Sequence, residues 1–194
     1  MKRIAIFCGA SIGFDEVYRK EAHRLGKYLA QRNIGIVFGG GKTGMMGTIA
    51  DAMLAEKAEV IGVIPGFLRH VEVEHPQVEQ MITSKNMSDR KVIISKMVDA
   101  YIALPGGFGT LDEVMEALTL GQLNIEEKPI GLLNTKGFFD ALIQQFDFMV
   151  QEGFLKKENR DMLLVSDQVE ELIRKMENYQ APKISKPVHS IASK

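Results

Sequence analysis

The chain has 194 residues, 45% of them hydrophobic, with 24 Lys+Arg against 25 Asp+Glu and a net charge of -1, which suits one well-filled domain over residues 1–180. No basic stripe or basic-aromatic repeat offers a footprint for nucleic acid, and no apolar run approaches the length of a membrane span. The run Ile4 to Cys8 is too short for a secretory leader, the single cysteine excludes an intrachain disulfide, and histidines at 23, 70, 75 and 189 lack metal-ligand spacing, so a cytoplasmic protein without a metal is expected.

Arg3 to Cys8 predicts a first strand in which Cys8 is a buried small hydrophobe, and Gly9 to Gly13 is the loop after it. Asp15 to Arg32 carries helical spacing through Val17, Ala22, Leu25, Tyr28 and Leu29 and ends at Asn33. Gly35 to Phe38 is a second strand, and Gly39 to Gly44 leads into a helix from Met45 to about Glu56. Glu59 to Ile64 is a third strand, stopped by Pro65-Gly66. Strands alternating with helices at this spacing imply an α/β protein: a doubly wound parallel sheet covered on both faces, three layers in all.

Phe67 to His75 lacks a clean period and reads as a loop or short helix at the sheet edge, before a fourth strand from Val78 to Ile82. Ser84 to Lys91 opens a helix running to about Asp99, with Ser88 or Asp89 as its cap. Arg90 then lies in a first helical turn, where the helix dipole opposes a cation. Such a local violation marks either a functional site or an exposed, solvating arginine.

Ala100 to Leu104 is a short buried strand, and Gly106, Gly107 and Gly109 follow Pro105 before a helix through Leu120. Free N–H groups at such a strand-turn-helix junction bind phosphate readily. Thr110-x-x-Glu113 also has the form of a capping box, and a carboxylate this near a helix start is expected to stay ionised. Pro129 to Leu133 is a strand, and Phe138 to Glu152 a helix whose Phe138, Phe139, Leu142, Phe146 and Met149 form core or a subunit interface. Leu163 to Val165 is a last strand, and Asp167-Gln168-Val169-Glu170 a second capping box for a helix to about Tyr179. From Ala181 onward Pro, Lys and Ser predict a disordered tail.

Gly39-x-Gly41-x-x-Gly44 has the form of a dinucleotide fingerprint, but it follows the second strand, and no acid closes the third strand to hold a ribose. Lys42-Thr43 hints at a Walker loop, yet Ile36 stands where that pattern needs glycine. What remains is a set of glycine-rich turns at one sheet edge, with Glu113 as a carboxylate and Arg90 as a cation. That equipment suits a nucleoside monophosphate. Cleavage of its N-glycosidic bond passes through an oxocarbenium-like sugar that a carboxylate stabilises while it orients or deprotonates water, and it calls for no metal or organic cofactor.

Pro105 to Glu113 resembles the PGGxGTxxE motif of the LONELY GUY (LOG) family, cytokinin riboside 5'-monophosphate phosphoribohydrolases also described as possible lysine decarboxylases. Met87-Ser88-Asp89-Arg90-Lys91 is similar to the family's M-H-x-R-K, with Ser88 in place of His. Cys8 to Ser11, Phe38 to Gly41 with Gly44 to Gly47, Gln122-Leu123, and Lys128 to Asn134 extend the likeness to nearly the whole chain. The resemblance implies a Rossmann-like fold that releases free base and ribose 5-phosphate from a cytokinin-type or plain adenine nucleotide. Arg90 and Glu113 become its catalytic pair, and Gly107, Gly109 and Thr110 its phosphate site. Gly9, Ser11, Gly40, Gly41, Met87, Lys91, Pro105, Gly106 and Glu116 complete the expected substrate-binding set. A homodimer with the active site at its interface is implied as well. A pyridoxal-dependent decarboxylase would need a Schiff-base lysine, which nothing in the sequence identifies. The alternatives are a nucleotide carrier of the same fold that performs no chemistry and, more distantly, a nicotinamide oxidoreductase.

Overall fold

The apolar runs form seven strands: β1 (Arg3–Phe7), β2 (Gly35–Phe38), β3 (Val60–Pro65), β4 (Gln80–Ser84), β5 (Ala100–Ala103), β6 (Ile130–Leu133) and β7 (Leu163–Ser166). The structure is a computed structural model that describes residues 1–69 and 74–182. Residues 70–73 of the expected edge loop and the expected tail beyond residue 182 lie outside it. All strand pairs are parallel, in the order β4-β3-β2-β1-β5-β6-β7. β1, β2, β5 and β6 are almost wholly buried, and burial on both faces is why they read as continuous apolar runs without alternation.

The helices are α1 (Glu16–Gln31), α2 (Gly44–Ala55), α3 (Met87–Met97), α4 (Phe108–Gln122), α5 (Asp140–Gln151), α6 (Lys157–Arg160) and α7 (Val169–Glu177). One core joins α1, α2 and α7 to the sheet through residues such as Leu25, Ile49 and Leu172. The second joins α3, α4 and α5 to the opposite face through Ile94, Val114 and Phe146. The fold is therefore the expected three-layer, doubly wound one. Asp15 caps α1 by accepting from the Val17 N–H at 3.0 Å, and Asn33 follows the helix with φ 55°, the left-handed residue that ends many helices.

Several boundaries differ from expectation. The cap of α3 is Asn86, whose side chain accepts from the Asp89 N–H at 2.8 Å; it precedes Ser88 and Asp89, which are helical. α4 begins at Phe108 with Gly107 as its cap residue and no side-chain cap, so Thr110 and Glu113 are helical residues, and the capping box does not form. Nor does the one before α7: Ser166 Oγ accepts from the Gln168 N–H at 3.1 Å in its place. β4 starts at Gln80, and Val78, two residues ahead of it, is buried in the first core. α5 starts two residues late, after a 3₁₀ turn at Thr135–Gly137, and of the residues expected in its core or a subunit interface, Phe138 stays 43% exposed.

Gly26 sets the spacing of α1 on α2, since an added Cβ would lie 2.9 Å from Ala52 Cβ and 3.0 Å from the Ile49 carbonyl oxygen. Alanine there would gain about 1 kcal/mol of helix propensity but would push against atoms that cannot rotate away. Overpacking of this kind costs about 1–3 kcal/mol. Gly26→Ala is expected to lower the urea midpoint at unchanged m-value, and an unchanged or raised midpoint would show that the helices part freely.

Candidate functional site

The sheet reverses its winding at β1, which pairs with β2 on one side and β5 on the other. Chains leave such a switch point in opposite directions, and a crevice opens past the strand ends. The register pairs Ile6 with Phe38 and Phe7 with Ala103, so the turns after β1, β2 and β5 begin level with one another. Hydrogen bonds lock them: the Gly9 N–H donates to the Pro105 carbonyl at 3.1 Å, and the Met45 N–H donates to the Gly9 carbonyl at 3.1 Å. Gly44, at φ +66°, lies so close to the Ala10 carbonyl that a side chain there would overlap it.

These turns surround a cavity of about 620 Å³, within the range usual for small-molecule sites. Of the residues expected from sequence, Gly9, Ser11, Met87, Arg90, Pro105, Gly106, Gly107, Gly109, Thr110 and Glu113 line it. Gly40, Gly41, Lys91 and Glu116 do not. The carbonyl of Gly40 accepts from the His75 N–H at 2.9 Å, and Gly41 bridges to Glu74, so that pair of glycines holds the segment beside β4. Cys8, Tyr18, Gly39, Met45, Met46 and Phe138 also line the cavity, though none was expected to bind substrate. They arrive from five separate stretches, and only the shared sheet edge brings them together.

Gly107 and Gly109 have nothing within 4 Å of where a Cβ would stand and both line the cavity, so the α4 N-terminus is open toward it. The opposite wall is apolar. Tyr18 and Phe138 meet edge to face with ring centroids 5.9 Å apart, and Met45 and Met46 extend the surface.

Among the described lining residues Arg90 is the one cation and Glu113 the one carboxylate. Arg90 is 7% exposed, which excludes the exposed, solvating alternative. Its guanidinium lies against Gly39, where any side chain would overlap Nη2, and its Nε finds no hydrogen-bond partner among the described residues. A buried guanidinium donor without an acceptor is costly, and a bound anion or polar ligand relieves it. Glu113 is half-buried on the sixth residue of α4, beyond the first turn where the helix dipole acts most strongly. Both charges reach Cys8. Burial and then the Glu113 charge push its thiol well above the usual range, while Arg90 pulls the other way. Cys8 is thus a neutral part of the wall at ordinary pH, and no nucleophile.

The sequence model of the family described as "Possible lysine decarboxylase" matches residues 46–176. The chain is 42% identical over 178 residues to cytokinin riboside 5'-monophosphate phosphoribohydrolase LOG1 of Arabidopsis thaliana, covering 92% of this chain and 84% of that protein. The chain belongs to the LOG family. To the LOG protein of Oryza sativa subsp. japonica it is 40% identical, over 92% of this chain and 74% of the other. Solved structures of similar fold include the molybdenum cofactor carrier protein of Chlamydomonas reinhardtii (TM-score 0.66, 21% identity, 90% of this chain and 95% of the other). The molybdenum cofactor binding protein of Rippkaea orientalis is another (TM-score 0.68, 23% identity, 90% and 94%). At such identities they establish the fold alone. The decarboxylase in the family's description finds no counterpart among the described lining residues of this LOG protein's cavity, which include no lysine of the kind that a pyridoxal Schiff base requires.

Proposed function

We propose that this LOG-family chain hydrolyses the N-glycosidic bond of a purine riboside 5'-monophosphate, AMP or an N6-substituted form, to free base and ribose 5-phosphate. Kinship with named phosphoribohydrolases over 92% of the chain carries the reading, and the cavity is equipped for it. The 5'-phosphate sits at the α4 N-terminus, on the backbone N–H groups beside Gly107, Gly109 and Thr110, where the dipole favours a dianion. Ribose C1' then lies between Glu113 and Arg90. As the C1'–N bond breaks, positive charge grows on the sugar and negative charge on the departing base. The Glu113 carboxylate stabilises the first and takes a proton from the attacking water; Arg90 donates to the second. Water supplies the new C1'–O bond, and the base leaves with a proton.

We read residues 1–180 as one catalytic domain, acting in the cytoplasm as a homodimer whose sites lie at the interface. Phe108, 92% exposed beside the cavity-lining Gly107 and Gly109, gives such an interface an apolar contact at the cavity rim. Incubation of the purified protein with AMP and with N6-isopentenyladenosine monophosphate, followed by chromatography of the products, tests the activity. Free base and ribose 5-phosphate in equal amounts are expected from one or both nucleotides, and the ratio of rates identifies the preferred base. Saturable binding with no released base would replace hydrolysis by a carrier role.

A further inference from the structure

We propose that Lys91 is a positioning residue: it holds α4 against α3 through Asp112 and Glu116 and thereby sets Glu113 opposite Arg90, without touching the substrate itself. The proposal rests on the hydrolase reading above and reassigns Lys91 and Glu116 within it.

Arg90 and Glu113 stand on different helices, so their separation is only as well defined as the packing of α3 on α4. Lys91 follows Arg90 on α3; Asp112 precedes Glu113 on α4, and Glu116 lies one turn further. Lys91 Nζ is 3.1 Å from Asp112 Oδ2 and also pairs with Glu116 Oε2. One ammonium thus bridges two carboxylates that flank Glu113. The Lys91 side chain is only 17% exposed. Burial alone would lower its pKa, yet the hydrogen bonds to Glu116 and Asp112 raise it on balance, and it remains a cation at any working pH.

Lys91 and Glu116 share a cleft of about 20 Å³ with Glu113, room for about one water and far too little for a nucleotide. Glu113 lines both this cleft and the main cavity, the place where a brace would have to act. One turn along α3, Ser95 Oγ hydrogen-bonds Glu126, which also accepts from Tyr101 Oη at 2.5 Å and lies 3.3 Å from Lys128 Nζ. Lys128 in turn donates to the Ser95 carbonyl at 2.6 Å. These contacts tie α3 to β5 and to the segment after α4, while Lys91 ties it to α4 itself, beside the reacting pair. Exposed ion pairs add little to stability. Geometry is the more sensitive quantity here, because a misplacement of about 1 Å can cost about a hundredfold in rate.

The test compares Lys91→Met, which keeps the stem and removes the charge, with Lys91→Arg. Base release from AMP in Lys91→Met is expected to fall about ten- to a hundredfold in kcat with KM within about twofold, and Lys91→Arg is expected to recover most of it. A KM raised tenfold at unchanged kcat would make Lys91 a substrate ligand and overturn the proposal, as would no change in either constant. A second readout needs no turnover. Lys91 lines the small cleft and not the main cavity, so Lys91→Met is expected to bind AMP within about twofold of the wild type. A loss of AMP affinity of about tenfold in Lys91→Met would make Lys91 a substrate ligand and overturn the proposal, even if the wild type releases no base. Loss of wild-type turnover by itself would sink only the hydrolase reading.

Discussion

Glu113→Gln is expected to keep the fold and the nucleotide but to lose base release by about 10²- to 10⁴-fold in kcat, the range for removal of a general base. The substitution is close to isosteric, and α4 is held in place by neighbours of Glu113, the fully buried Val114 and the nearly buried Ala117. Stability should therefore change little, and phosphate binding at the helix N-terminus, five residues earlier, should survive. What glutamine cannot do is carry negative charge next to a developing oxocarbenium ion or take a proton from water. Initial rates with AMP, thermal unfolding and nucleotide affinity together check this. Activity within tenfold of wild type would remove Glu113 from the chemistry.

The second large effect belongs to Arg90. Arg90→Met is expected to lower kcat/KM about 10²- to 10³-fold, the typical loss when one preorganised donor to developing negative charge is removed. Unlike most buried deletions, it should not unfold the protein. The guanidinium is buried with Nε unsatisfied among the described residues, and its Nη1 donates only a long contact to Met87 Sδ at 4.0 Å. Methionine fills much of the stem volume without a charge to desolvate, so the thermal midpoint should stay within a few degrees of wild type, about 1 kcal/mol for a chain of this size. Gly39→Ala should mimic part of the kinetic loss with Arg90 intact, because its methyl group would occupy the position of Nη2. A marked fall in stability with normal activity would make Arg90 a structural residue only.

The two residues were legible to different degrees. Glu113 follows a glycine-rich strand-to-helix junction that is continuous in sequence, so its neighbourhood survives in one dimension. Arg90 could be flagged only as a cation in a first helical turn, and the exposed alternative fell when the structure buried it beneath Gly39. The cavity's apolar wall could not be read at all, for Tyr18 and Phe138 are ordinary helix-face aromatics until α1 and the segment before α5 meet. The misread caps share one cause. Thr110 and Glu113, and again Asp167 and Glu170, have capping-box spacing, but a helix starts where the preceding strand and turn deliver the chain, and that point lay three residues earlier for α4.

By itself, then, the sequence determined the alternating strands and helices, the parallel three-layer sheet, the family and the stretch that carries Glu113, because each is written in local periodicity or in an unbroken motif. Only the tertiary structure decided that Lys91 and Glu116 pair with each other outside the cavity, that Gly40 and Gly41 support the segment beside β4, and that Arg90 is buried against Gly39. Those outcomes depend on how far apart α3, α4 and the turn after β2 stand across the sheet edge. That distance is set by the packing of side chains remote in sequence, and no local pattern encodes it.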